Sequence, residues 1–113
     1  MAGADYEREL RDKLRRDGWV IVRSAGSHGF DLVALKPTEH MIIEVKSTKN
    51  DKFYTTSDKE QFDMLNAYAH QGFNVYYYVR WKGRKPKWKR WKLPRTPYPA
   101  FYFKPGEKDI KGL

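Results

Sequence analysis

The stretch His40-Met41-Ile42-Ile43-Glu44-Val45-Lys46 decides the fold. Its centre, Met41-Ile42-Ile43, is apolar without a break, the pattern of a strand covered on both faces. The run then passes into charge. Side chains two apart on a strand point the same way, so Glu44 and Lys46 share one face while Val45 packs on the other.

Working outward, residues 4–17 read as a helix, because Tyr6, Leu10 and Leu14 recur at four-residue spacing and Gly18 supplies a C-terminal stop. Trp19 to Arg23 reads as a first strand and Phe30 to Leu35 as a second. The small-residue turn Ser24 to Gly29 lies between them, and a hairpin at Lys36 to Glu39 leads into the third strand, His40 to Lys46. After a polar loop, Ser57-Asp58-Lys59-Glu60 has the form of a capping box opening a second helix, with Phe62, Leu65 and Ala69 along one side, Met64 and Tyr68 beside them, and Gly72 at its end. Phe73 to Lys82 reads as a fourth strand and Lys87 to Leu93 as a Lys-rich edge strand. Pro94, Pro97, Pro99 and Pro105 predict an irregular tail, part of which docks through Tyr98, Phe101, Tyr102 and Phe103. The order α-β-β-β-α-β-β implies an α/β fold: a mixed sheet of about five strands flanked by helices, with the domain proper over 1–93 and a tail of the same domain over 94–113.

With 113 residues and 40% hydrophobic content, the chain suits one domain with a modest core. No apolar run approaches the ~18 residues of a membrane span, and no export leader is read. The lack of cysteine excludes disulfides, thiolate metal sites and cysteine nucleophiles, and fits a reducing cytoplasm. Twenty-three Lys and Arg against 14 Asp and Glu give a net charge of +9. Between Arg80 and Arg95 there are nine cations and no acid, interleaved with Trp81, Trp88 and Trp91. Such a one-sided field suits a polyanion.

Asp31 opens the strand that the hairpin sets beside Glu44, so two carboxylates converge near Lys46. Such a pair offers the hard oxygens that Mg²⁺ takes, and an adjacent ammonium orients a water or stabilises charge on a phosphate. The bare pattern is weak: Asp109-Ile110-Lys111 repeats it in what reads as a surface stretch, and a Glu–Lys pair at a strand end is worth little by itself. Glu7 lies about 100° round the first helix from Tyr6, beside the buried stripe, whereas Glu9 points away. Glu7 either joins the carboxylates or pairs with Arg11. Arg8 is placed to meet a phosphate at the rim. The turn Ser24 to Gly29 either admits a phosphate to its backbone, with Ser24 or Ser27 donating a hydroxyl, or is an ordinary flexible turn. His40 and His70 read as structural or solvent-facing, and His28, in that turn, stays open.

Four blocks in order, Glu7-Arg8-Glu9-Leu10, Gly18-Trp19 with Val22-Arg23-Ser24-Ala25-Gly26-Ser27, Asp31-Leu32-Val33-Ala34 and Ile43-Glu44-Val45-Lys46-Ser47, resemble the archaeal-type Holliday junction resolvases of the PD-(D/E)XK nuclease superfamily. The resemblance covers about residues 3–93. It implies a restriction-endonuclease-like core and a divalent metal, Mg²⁺ with Mn²⁺ as substitute, bound by Asp31, Glu44 and the Val45 carbonyl, with Glu7 completing the acidic cluster directly or through water. It further implies that Lys46 activates the attacking water, that Ser27 serves cleavage from a loop, and that Arg8 and Arg23 contact phosphate. The implied substrate is a four-way DNA junction nicked symmetrically by a homodimer, with no membrane and no small-molecule cofactor. Ser24, His28, Lys82, Arg84 and Lys85 are the further DNA-binding candidates, and Phe62, Leu65, Tyr68 and the aromatic tail the dimer candidates. Phe30 stands where the superfamily pattern has Pro, and the cationic hairpin and the tail depart from the family. Two other readings remain: a superfamily endonuclease acting on linear duplex, and a non-catalytic module whose tryptophans stack on unpaired bases.

Overall fold

In the computed structural model, which describes residues 3–24 and 29–110, the chain forms α1 (Gly3–Arg16), β1 (Val20–Arg23), β2 (Leu32–Lys36), β3 (Glu39–Thr48), β4 (Lys52–Tyr54), a 3₁₀ turn (Thr55–Asp58), α2 (Lys59–His70), β5 (Val75–Trp81), β6 (Trp88–Lys92) and β7 (Ala100–Tyr102). Five strands make a mixed sheet in the order β1-β2-β3-β5-β6. Only β3 and β5 run parallel, joined by the crossover through α2.

The unbroken apolar centre of β3 is explained by its two coverings. Met41 and Ile43 pack with Tyr6, Leu10 and Leu14 of α1 on one face. Ile42 packs with Phe62, Leu65 and Ala69 of α2 on the other. Both helices stop where a glycine takes the left-handed conformation: at Gly18 (φ 92°) the Trp19 N–H reaches back to the Leu14 carbonyl, and at Gly72 (φ 104°) the Phe73 N–H reaches the Tyr68 carbonyl.

Three expectations change. The N-cap of α2 is Asp58, one residue after Ser57, because its carboxylate accepts from the Gln61 N–H at 3.0 Å while Ser57 Oγ donates to the Tyr54 carbonyl. The loop before α2 holds β4. The tail is not irregular throughout: β7 pairs antiparallel with β4 in a two-stranded ribbon, Lys52 opposite Tyr102 and Phe53 opposite Phe101. Phe101 is buried and stacks on Trp91 at 4.5 Å. The chain then rounds the β6 edge. Glu107 meets Lys89 at 2.8 Å, the Asp109 carboxylate accepts from the Lys87 and Trp88 N–H groups, and Ile110 packs against the α1-side core. Asp109, expected on an idle surface stretch, thus fastens the last turn over that edge.

Candidate active site

Asp31 and Glu44 face each other because β2 and β3 are a register-locked hairpin. Leu32 pairs with Ile43, and the Asp31 N–H donates to the Ile43 carbonyl at 3.0 Å, so Asp31 stands beside Glu44 on the α2 face. Asp31 Oδ2 accepts from the Val45 N–H at 2.8 Å, which fixes its carboxylate at the strand. Glu44 is 4% exposed, and its Oε2 accepts from Lys46 Nζ at 3.1 Å and Gln61 Nε2 at 2.7 Å. Its other oxygen, Oε1, is buried with no hydrogen-bond partner. Burial first, then the neighbouring Asp31 charge, push the Glu44 carboxyl up to about 8, against the opposing pull of Lys46. A buried carboxylate oxygen with no donor, next to a second carboxylate, is what a bound cation would satisfy. The donor set fits Mg²⁺: all oxygen, two carboxylates, with the Val45 carbonyl on the same strand.

Glu7 is not grouped directly with Asp31 and Glu44 in a metal-holding set. Its helix packs on the opposite face of the sheet, and its Oε1 engages Arg23 Nε at 3.1 Å and Arg11 Nε at 3.8 Å. Among the described residues no set of three acidic or histidine side chains is arranged to hold a metal. Glu9 also departs from expectation. It is half-buried, accepting from Trp88 Nε1 at 3.2 Å and pairing with Arg80 at 3.5 Å.

The cationic candidates divide. Arg23 is exposed at the end of β1, and Arg8 is exposed with a loose contact to Asp5 at 3.8 Å. The Ser24 N–H donates to the Asp31 carbonyl at 2.8 Å, which ties Ser24 to the start of β2. Ser27 and His28 lie outside the described residues. Lys82 sits over the Tyr6 ring, Arg84 pairs with Asp51, and Arg84 and Lys85 line an open hollow of about 230 Å³ with Arg80 and Lys87. His40 is structural, its Nε2 accepting from the Asn74 N–H.

Two groups of candidates are narrowed. Phe62 and Leu65 are buried in the core of their own chain, so they are unavailable to a partner; Tyr68 alone is half-buried. Trp81 and Trp88, 1% and 0% exposed, offer no platform to unpaired bases, and Trp91, half-buried, has one face stacked on Phe101. Sequence reasoning also missed Gln61. Asp58-Lys59-Glu60-Gln61 carries a capping-box spacing, yet the Gln61 side chain reaches across to Glu44 instead of closing back on the cap. The signal was present, one residue along from the box that was read.

The family model for the archaeal Holliday junction resolvases (Hjc) matches residues 1–96. The chain belongs to that family. Over 67 residues it is 39% identical to the crossover junction endodeoxyribonuclease Hjc of Methanocaldococcus jannaschii, covering 59% of this chain and 49% of that protein. Over 74 residues it is 35% identical to the Hjc of Sulfurisphaera tokodaii, covering 59% and 50%. The chain therefore spans about half the length of the curated relatives it matches. The solved structure of Archaeoglobus fulgidus Hjc, a Holliday junction resolvase, superposes with a TM-score of 0.71 at 25% identity, covering 88% of this chain and 83% of that one. The Hjc sheet flanked by helices is thus the fold of this chain, and β7 lies beyond the residues that the family model matches.

Proposed function

We propose that this chain is a Mg²⁺-dependent endonuclease that resolves four-way DNA junctions by paired nicks, Mn²⁺ substituting. The observation that carries this reading is the orphaned, buried Glu44 Oε1 beside Asp31, with Lys46 at 3.1 Å from the same carboxylate, in a chain of this family. Asp31, Glu44 and the Val45 carbonyl would hold the metal, which when bound supplies charge to stabilise the attacking and leaving oxygens of an in-line displacement. Lys46 Nζ orients the attacking water and offsets charge on the scissile phosphate. Gln61 and the Val45 N–H keep the two carboxylates in place, and Arg8 and Arg23 receive the phosphates on either side. Ser27 would serve cleavage, as the family resemblance implies. Glu7 serves the site by holding Arg23 and Arg11.

A junction presents two equivalent scissile phosphates, most simply met by a two-fold dimer. With Phe62 and Leu65 committed to the core, the dimer surface that suits this chain is the uncovered part of the α2 face. Its exposed apolar residues are Val20 and Val22 of β1 (62% and 50% exposed), Leu35, which pairs with Val20, and Met64 and Phe73. The experiment incubates the protein with a labelled immobile four-way junction and with matching duplex, each in Mg²⁺ or EDTA. Symmetric nicks confined to the junction and lost in EDTA are expected. Equal cutting of duplex would make it a general nuclease, and binding without cutting would refute the enzymatic reading.

A further inference from the structure

The ribbon of β4 and β7 lies on the same face of the sheet as the two carboxylates. Phe53 and Phe101, on its inner side, pack against Tyr77 at 6.0 Å and 5.5 Å. Tyr77 is paired with Glu44 in the parallel β3–β5 register, and the Glu44 charge helps to raise its hydroxyl pKa, after burial. One ring therefore separates the ribbon from the catalytic carboxylate. The alternation of a strand that turns Phe53 and Phe101 inward turns Lys52, Tyr54 and Tyr102 outward.

That outer side carries the two most exposed aromatic rings of the described residues, ahead of Phe73 and Tyr98. Tyr54 and Tyr102 are 52% and 50% exposed, whereas Tyr77, Tyr78, Trp81, Trp88 and Phe101 are all buried. Lys52 Nζ stands 5.4 Å from the centre of the Tyr102 ring. Lys49 and Lys104 are exposed close by in the chain, and the nearby acid Asp51 is taken up by Arg84. Rings held rigid by strand pairing, interleaved with ammonium groups and beside a phosphodiester-cutting site, match the chemistry of nucleic acid: π faces for bases or sugars, charge for phosphates.

We propose that the outer face of this ribbon, Lys52, Tyr54 and Tyr102, is a second DNA-contact surface that grips the arm leaving the scissile phosphate. Lys52 takes a backbone phosphate, and the two tyrosines lie against bases or sugars at the branch point, where stacking between arms is interrupted. The inference rests on the nuclease reading above, and it gives the C-terminal segment a function in substrate binding. Two of the three residues, Lys52 and Tyr54, come from β4 and the third, Tyr102, from a strand outside the family match.

The test measures equilibrium binding of a four-way junction and of linear duplex in Ca²⁺ by fluorescence anisotropy, as a function of salt. For Tyr54→Ala with Tyr102→Ala, junction affinity is expected to fall about tenfold, duplex affinity less, with an unchanged salt slope. For Lys52→Ala, the slope is expected to fall by about one. Tyr102→Thr, which keeps a β-branched residue in β7, carries the test if the double variant unfolds, and predicts the same selective loss. Junction affinity equal to wild type in correctly folded variants would overturn the ribbon assignment, as would an affinity loss traced to altered oligomeric state. If the wild-type protein itself shows no preference for the junction, it is the junction-resolving reading that fails, whatever the variants do.

Discussion

Strand β3 and the C-terminal segment 97–110 both build the surroundings of Glu44, but by different physics. β3 is held along its length: paired to β2 from Glu39 to Ile43 and to β5 from Ile42 to Thr48, packed above and below at its centre, its register fixed by the hairpin to β2. The terminal segment is held at separate points: Tyr98 on Asp63, Phe101 in the core, Phe103 on Trp81, Asp109 on the backbone of β6. A continuously supported strand can bury a carboxylate and keep it aimed. A segment pinned at intervals supplies cover and surface, and each pin contributes nearly independently.

The contrast is sharpest in the losses each region tolerates. The largest effect is expected at β3 and its partner: Glu44→Gln and Asp31→Asn should each reduce junction cleavage on the order of 10³-fold in single-turnover assays while retaining junction binding. Activity within a few-fold of wild type in either would remove that residue from the site. In the terminal segment, Phe101→Ala should destabilise the fold by about 3–5 kcal/mol in urea unfolding, as for a buried aromatic. A loss under ~1 kcal/mol would mean that the segment merely rests on the surface. Smaller still, Asp109→Ala should cost about 1–2 kcal/mol, since it strands the part-buried Trp88 N–H.

A pH series separates the regions without changing a contact. The folded Glu44 carboxyl, raised to about 8 from an ordinary 4.5, binds its proton more tightly in the folded chain than in the unfolded one. In EDTA, stability should therefore fall as pH rises from about 4.5 to about 8 and level off beyond, because the native state holds the extra proton across that window. Glu44→Gln should flatten this dependence, and Phe101→Ala should leave its shape intact while lowering the whole curve. Parallel curves for wild type and Glu44→Gln would contradict the buried, protonated carboxyl.

What the sequence disclosed follows the same division. Met41 to Lys46 was legible because burial on both faces writes an unbroken apolar run, and the alternation after it assigns Glu44 and Lys46 to one face. Tyr6, Leu10 and Leu14 were legible for a similar reason. The β4–β7 ribbon was not, since its partners are about 50 residues apart in the chain and three-residue strands are too short to show a period. Phe62 and Leu65 were read correctly as an apolar helix stripe, but a stripe does not say whether a sheet or a second chain covers it. Glu7 stayed between two readings, the carboxylate group or Arg11, because helix angle gives the face of a residue and not the side of the sheet to which that face is turned. The structure shows the Arg11 pairing and adds Arg23. Gln61 escaped because its role depends on Glu44, across a crossover that no local pattern records.

The central claim is that Asp31 and Glu44 form one metal site. Calorimetric titration of the protein with Mn²⁺ near pH 7, in buffers of different ionisation enthalpy, tests it directly. Binding should be saturable, should release close to one proton as Glu44 ionises, and should be abolished in Glu44→Gln. Binding of undiminished affinity in Glu44→Gln, or no binding by the wild-type protein with or without junction DNA, would contradict it.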